Sequence, residues 1–304
     1  MKLNKTLFFV LKLLVSVGSL YLIFSKTDMH QIGLMLKKIG PLAFLSASFL
    51  YILSLVGATM RWKLLLPDKF MFRRLFSLYM IGSFFSSFLP GVIGGDVVKA
   101  YYLNKDAKKL SLTLASIFMD RYLGYVSLIF LGMAAFPFAL RFFGDSPYKW
   151  IMPAMFVSFV IGSFLFFRLK LGRRFRTVSE FYEYFVTLKA KKDVILKSLF
   201  ISLVIQITGF MAVAILASAM GMHIPLLLIF VFLPIVTTIT TLPISISGIG
   251  VREGAFVLLF GLIGVRPEAA TSLSLAWFFS VFAGSFPGLA FYIRHSNKPE
   301  VKNS

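Results

Sequence analysis

Long apolar runs separated by short, basic connectors restrict the fold of this 304-residue sequence more than any other feature. A helix of roughly 20 apolar residues crosses a bilayer. Six segments approach or exceed that length: residues 7–24, 42–60, 112–136, 150–167, 198–220 and 269–293. Charged residues make up 14% of the chain and hydrophobic ones 58%, whereas soluble domains carry about a quarter of their residues as charges. An ordinary water-soluble globule is therefore excluded. The expected fold class is an all-α polytopic membrane protein, a single integral membrane domain over residues 1–304 with a flexible tail at 295–304.

The first run follows Lys2 and Lys5 in the manner of a signal peptide, yet it carries Lys12 and has no small-x-small cleavage site before Lys26. It is expected to stay as a membrane helix. Between 27 and 39, Met29, Ile32, Met35, Leu36 and Ile39 recur at helical spacing beside Lys37 and Lys38, which suits a short helix lying in the interface. Residues 178–188, where Phe181, Tyr182, Tyr184 and Phe185 mix with Glu180 and Glu183 after a basic run, read as a second interfacial connector.

Two further apolar stretches are broken. Pro90, Gly91, Gly94 and Gly95 interrupt residues 75–103, and Pro243, Ser245, Ser247, Gly248 and Gly250 interrupt residues 226–264. Each pattern predicts a helix, a turn at membrane depth and a second half-helix. If both are re-entrant hairpins, the six full spans leave both termini on one side. That side collects 23 of the 32 Lys and Arg residues and the other side 6, while Lys12, Arg121 and Arg252 stay within apolar segments. The bias puts both termini in the cytoplasm of a cell membrane, and Arg61-Trp62-Lys63 reads as an interfacial anchor. The net charge of +20 is then explained by loops facing anionic lipid. No nucleic-acid-binding signature accompanies it, and nucleic acid is not an expected partner. One hairpin opens from the cytoplasm and the other from outside, so the pattern predicts an inverted repeat with tips meeting near the midplane, where such repeats hold substrate.

The residues Leu89-Pro90-Gly91-Val92-Ile93-Gly94-Gly95-Asp96-Val97-Val98-Lys99-Ala100, the pair Asp120-Arg121, and the stretch from Pro243 through Gly248, Gly250, Arg252 and Glu253 to Ala255 resemble the motifs of the lysylphosphatidylglycerol synthase transmembrane, or flippase-like, family. The resemblance spans nearly the whole chain. It implies handling or translocation of an anionic or head-group-modified lipid between leaflets. The sequence ends at Ser304 without a soluble aminoacyl-transferase domain, so a stand-alone member is expected and head-group synthesis is not carried over.

Physical chemistry marks the same positions. An ionisable residue at membrane depth costs about 2.5 to 3.5 kcal/mol on insertion scales, so those that persist pair internally or line a polar path. Asp96, Lys99, Asp120, Arg121, Arg252 and Glu253 form such a set, three carboxylates and three cations. Asp96 and Lys99 share a helix face, whereas the adjacent pairs Asp120-Arg121 and Arg252-Glu253 point about 100° apart. Partners are therefore expected across the halves, Arg252 with an acid of the first and Arg121 with Glu253. Gly94, Gly95, Gly248 and Gly250 are expected to let the backbone approach a head group, at half-helix N-termini suited to phosphate.

The combined reading is a lipid translocator whose Lys99, Arg121 and Arg252 meet the phosphate of a phospholipid or polyprenyl-phosphate-type lipid. Asp96, Asp120 and Glu253 would hold those cations when the site is empty, or take protons. Three alternatives stay open: a network that only ties helices together, an embedded lipid-modifying transferase or hydrolase, and a non-transporting partner of a lipid-modifying enzyme. The enzyme lacks obvious equipment, because His30, His223 and His295 are scattered and the chain has no Cys, no HExxH and no serine elbow. No catalytic residue, metal or cofactor is expected.

Overall fold

The structure is a computed structural model that describes residues 5–25, 27–88, 93–169, 176–242, 244–245 and 247–296. Among these residues every regular element is helical: α1 Lys5–Phe24, α2 Met29–Lys38, α3 Gly40–Leu64, α4 Phe72–Ser86, α5 Ile93–Ala107, α6 Leu110–Ala139, α7 Ile151–Leu169, α8 Arg176–Ala190, α9 Lys192–Ala219, α10 Leu226–Thr241, α11 Val251–Gly261, α12 Pro267–Ser285 and α13 Pro287–Ser296, with two short 3₁₀ turns between α6 and α7. Five stretches are long and apolar enough to cross a membrane: α3, α6, α7, α9 and the α12–α13 pair. Helix α1 is 20 residues long, about 30 Å at 1.5 Å per residue, and holds the whole of the apolar run 7–24. The expected polytopic all-α class is therefore what the chain adopts.

The expected sixth span, residues 269–293, is bent. Pro287 has no N–H and cannot continue α12 past Phe286, so α13 starts there as a separate helix. Gly288 then rests on α4, where a Cβ would collide with the Met80 carbonyl oxygen.

Helices α4 and α10 are 15 and 16 residues long, about 22 to 24 Å, short of a hydrocarbon layer of about 30 Å. Each packs against the helix that follows, α4 on α5 and α10 on α11. These are the two hairpins the broken stretches predicted. Leu89, Pro90, Gly91, Val92, Pro243 and Ile246, from the expected turns, lie outside the described residues.

The order long, short, long, half-length, half-length, long describes α1–α6 and again α7–α12. Packing follows the same exchange: α2 lies on α12 as α8 lies on α6, α3 meets α12 as α9 meets α6, and α3 and α9 pair with each other. If α1, at about 30 Å, crosses together with α3 and α6, the second half starts from the opposite side, as an inverted repeat requires.

Connectors gather at two ends. At one, Arg74 Nε donates to Asp106 at 2.7 Å, Lys109 stands 3.9 Å from Glu180, and the Tyr184 hydroxyl donates to the Leu65 carbonyl at 2.7 Å. At the other, Lys38, Phe142, His223 and Arg266 surround one depression.

One expectation fails here. Helix α3 continues to Leu64 rather than stopping at Met60, and this extra turn carries Arg61 and Trp62 into the protein, 5% and 0% exposed. They are core residues, not an interfacial anchor. Only Lys63 of the three is exposed.

Candidate functional site between two hairpins

The hairpin tips touch. Ser247, in the turn after α10, donates its Oγ to the carbonyl of Ser86, the last residue of α4, at 3.1 Å. Both residues of this contact line a cavity of about 380 Å³ whose walls come from both halves: Lys99, Asp96 and Tyr79 of the first hairpin, Arg252, Ser247 and Thr240 of the second, and Arg61, Arg121 and Gln206 of the flanking spans.

Asp96 sits in the first turn of α5 and holds two cations, Lys99 at 2.8 Å three residues on and Arg121 of α6 at 2.7 Å. A carboxylate in a first turn also suits the partial positive charge of the helix N-terminus. The Lys99 ammonium stands 4.0 Å from the Tyr79 ring centroid and 5.3 Å from that of Trp62, an aromatic seat for a buried cation. Arg121 differs from Lys99 in exposure: its side chain is 37% open against 3%.

Arg252 and Glu253 open α11. Glu253 reaches back to accept the Gly250 N–H at 2.7 Å, closing the first turn, and its other oxygen accepts from Arg252 at 2.7 Å and from the Ser274 hydroxyl at 2.9 Å. Gly250, at φ +83°, supplies a backbone geometry that side-chain-bearing residues avoid. The Arg252 guanidinium also lies 4.7 Å from the Phe278 ring centroid.

The cross-half pairing expected from spacing does not occur. Arg121 meets Asp96 rather than Glu253, and Arg252 meets its own neighbour. Divergence of adjacent Cβ atoms does not prevent the second contact, because Glu253 folds back to cap the helix and the long Arg252 side chain follows it. Asp120 also has a partner the sequence did not suggest: Arg61 of α3 donates to it at 2.7 Å, and the Tyr79 hydroxyl donates to its second oxygen. Arg61 further donates to Ser202 of α9 at 2.8 Å.

With Arg61 included, the cluster holds four cations, Arg61, Lys99, Arg121 and Arg252, against Asp96, Asp120 and Glu253. Its formal charge is +1 rather than zero. The surplus sits around Asp96, where one carboxylate serves two cations.

The expected tip glycines have other neighbours. At Gly95 a Cβ would collide with the Gly82 carbonyl oxygen, so this glycine is where α4 and α5 touch. At Gly250 it would meet Ser19 and the Ser16 carbonyl of α1, and at Gly248, φ +75°, Thr240. Gly94 is half-buried in the first turn of α5. Thr240 and Thr241 donate to carbonyls of their own helix at 2.9 and 2.7 Å, which satisfies their hydroxyls within the helix. Tyr51, Tyr79, Gln206 and Arg61 of the cavity were not singled out as site residues. Tyrosines and a glutamine inside apolar runs were the available signal.

Residues 9–288 match the family described as the lysylphosphatidylglycerol synthase TM region. The chain belongs to that family. The match embraces both hairpins and all the motif residues on which the resemblance rested. A UPF0104 membrane protein of Methanothermobacter thermautotrophicus is 24% identical in an alignment that covers 79% of this chain and 81% of that relative. No solved structure matches the chain. As a family member with this helix content, the protein is a multi-pass integral membrane protein related to lipid-handling proteins.

Proposed function

We propose that the chain is a lipid translocator that carries an anionic, phosphate-bearing head group between leaflets through the cavity between the hairpins. The observation that carries this reading is the surplus positive charge in a cavity walled by both halves of an inverted repeat. Two cations that share one carboxylate are poised for an anion, because Asp96 can keep one partner while the other turns to the ligand. Arg121, the most open of the four, would take the phosphate first. Lys99 and Arg252 would complete its coordination, while Asp120 and Glu253 fix Arg61 and the α11 terminus.

A surplus of one charge complements a phosphodiester, which carries one negative charge, better than a phosphomonoester. Both half-helix N-termini, of α5 and α11, add partial positive charge at the tips. Parting of the tips on one side and then the other would expose the cavity to each leaflet in turn, as inverted repeats permit.

The proposed orientation has both termini in the cytoplasm. Lys99 and Arg61, counted among loop cations, are buried, and removing them from the 23 leaves 21 against 6. The asymmetry that sets orientation survives.

The test is leaflet exchange of a fluorescent phosphatidylglycerol in proteoliposomes. Wild-type protein should accelerate exchange without changing the lipid chemically, and Arg121→Gln should remove most of the acceleration. Exchange no faster than in protein-free vesicles, or a chemically altered head group, contradicts the proposal.

A further inference from the structure

A second cavity, about 440 Å³, adjoins the polar one and shares Asp96, Arg121, Tyr125 and Thr241 with it. Its remaining walls are apolar: Val97 and Ala100 of α5, Leu114, Ile117 and Phe118 of α6, and Phe181 of α8. Val97 and Leu114 are exposed, 61% and 42%, in a position where packing against another helix would have covered them. The Phe118 and Phe181 rings, both in its wall, meet edge to face at 5.4 Å. Helix α8 is held there by polar ties, with Ser111 donating to Glu180 at 2.6 Å.

We infer that this groove is an acyl-chain subsite, which seats one chain of a phosphodiester lipid whose phosphate is held by Arg121. The inference rests on the head-group reading above and adds the path of the chain. Arg121 stands on the boundary, and its partly open side chain serves both cavities. A phosphate bound to it can send its polar substituent into the polar cavity and its chain along α5 and α6. That division matches the two wall chemistries, since chain burial is favoured by apolar surface and a charge is tolerated only beside compensating groups. Continuity with the charged cluster distinguishes this groove from ordinary lipid-facing surface such as that of α7, where Val157, Val160 and Ile161 are exposed with no charged group among them.

The experiment uses full-length protein in dioleoyl phosphatidylcholine vesicles doped with a phosphatidylglycerol that carries a diazirine in one chain. After irradiation, labelled residues are located by mass spectrometry. Leu114, Ile117 and Phe118 should be labelled, and an excess of unlabelled dioleoyl phosphatidylglycerol should compete this labelling away while that of α7 persists at a general lipid level. Arg121→Gln should lower groove labelling about tenfold, the scale of a lost charge-assisted hydrogen bond, and Arg121→Lys should restore part of it. Labelling of the groove no stronger than that of α7, or indifferent to competitor, overturns the chain subsite. Labelling that competes but ignores Arg121→Gln also overturns it, because phosphate and chain would then not share one ligand. Competed, Arg121-dependent labelling in a protein that fails the exchange assay would keep the subsite and sink the translocator.

Discussion

Arg61 shows how a single residue can change the meaning of a site. Its pair with Asp120 is buried on both sides, at 6% and 0% side-chain exposure, so removing one partner strands a charge in a dry place. Arg61→Ala is expected to cost about 3 to 5 kcal/mol of stability, read as a lower unfolding midpoint in detergent. Loss of less than about 1 kcal/mol, the range of exposed pairs, would show that the pair is solvated. Arg121→Gln should behave oppositely, keeping most of the stability, because the side chain is partly open, while losing exchange. The sequence marked Asp120, Arg121, Arg252 and Glu253 as ions at membrane depth, but their partners were not legible. Arg61 stood beside Trp62 and Lys63 at the edge of an apolar run, where an anchor and a buried ion look alike. Only the extra turn of α3, through Leu64, separates the two readings.

Elements were more legible than pairings. Proline and glycine breaks located both hairpins, and the periodic segments gave the two short helices α2 and α8 within a few residues. What the tip glycines do was not legible, because a glycine needed for helix contact and one needed for ligand approach leave the same mark in a sequence. Gly95 and Gly82 form a backbone contact between α4 and α5, with a Gly82 Cβ 2.8 Å from the Gly95 oxygen. Gly95→Leu should therefore cost yield and folded protein, rather than leave a folded protein that is merely blocked. Gly95→Ala should already lower the unfolding midpoint. Gly162→Ala, on the open face of α7 with nothing within 4 Å, should be neutral or add up to about 1 kcal/mol of stability through helix propensity. Equal effects at the two positions would show that α4 and α5 are not in backbone contact.

At the scale of the molecule, the six-helix halves and the meeting of their tips organise everything else. Apolar length gave the spans. The inverted relation was legible only through the parity of crossings, since the two halves share little beyond a Leu-Pro and charged residues opening a helix. Orientation can be checked without removing native cysteines, because the chain has none. Cysteines placed at Asp145 or Ser146 should react with an impermeant external reagent, and one at Lys189 should not; the reverse pattern would invert the proposed topology. The shared site itself is tested most directly by tethering the tips. Ser86→Cys with Ser247→Cys, joined by a short bifunctional thiol reagent that contains a cleavable disulfide, is compared in the exchange assay before and after reduction. Lipid exchange should stop while the tips are joined and resume when the link is cleaved. Exchange that proceeds at the same rate through tethered tips would contradict a path between the hairpins.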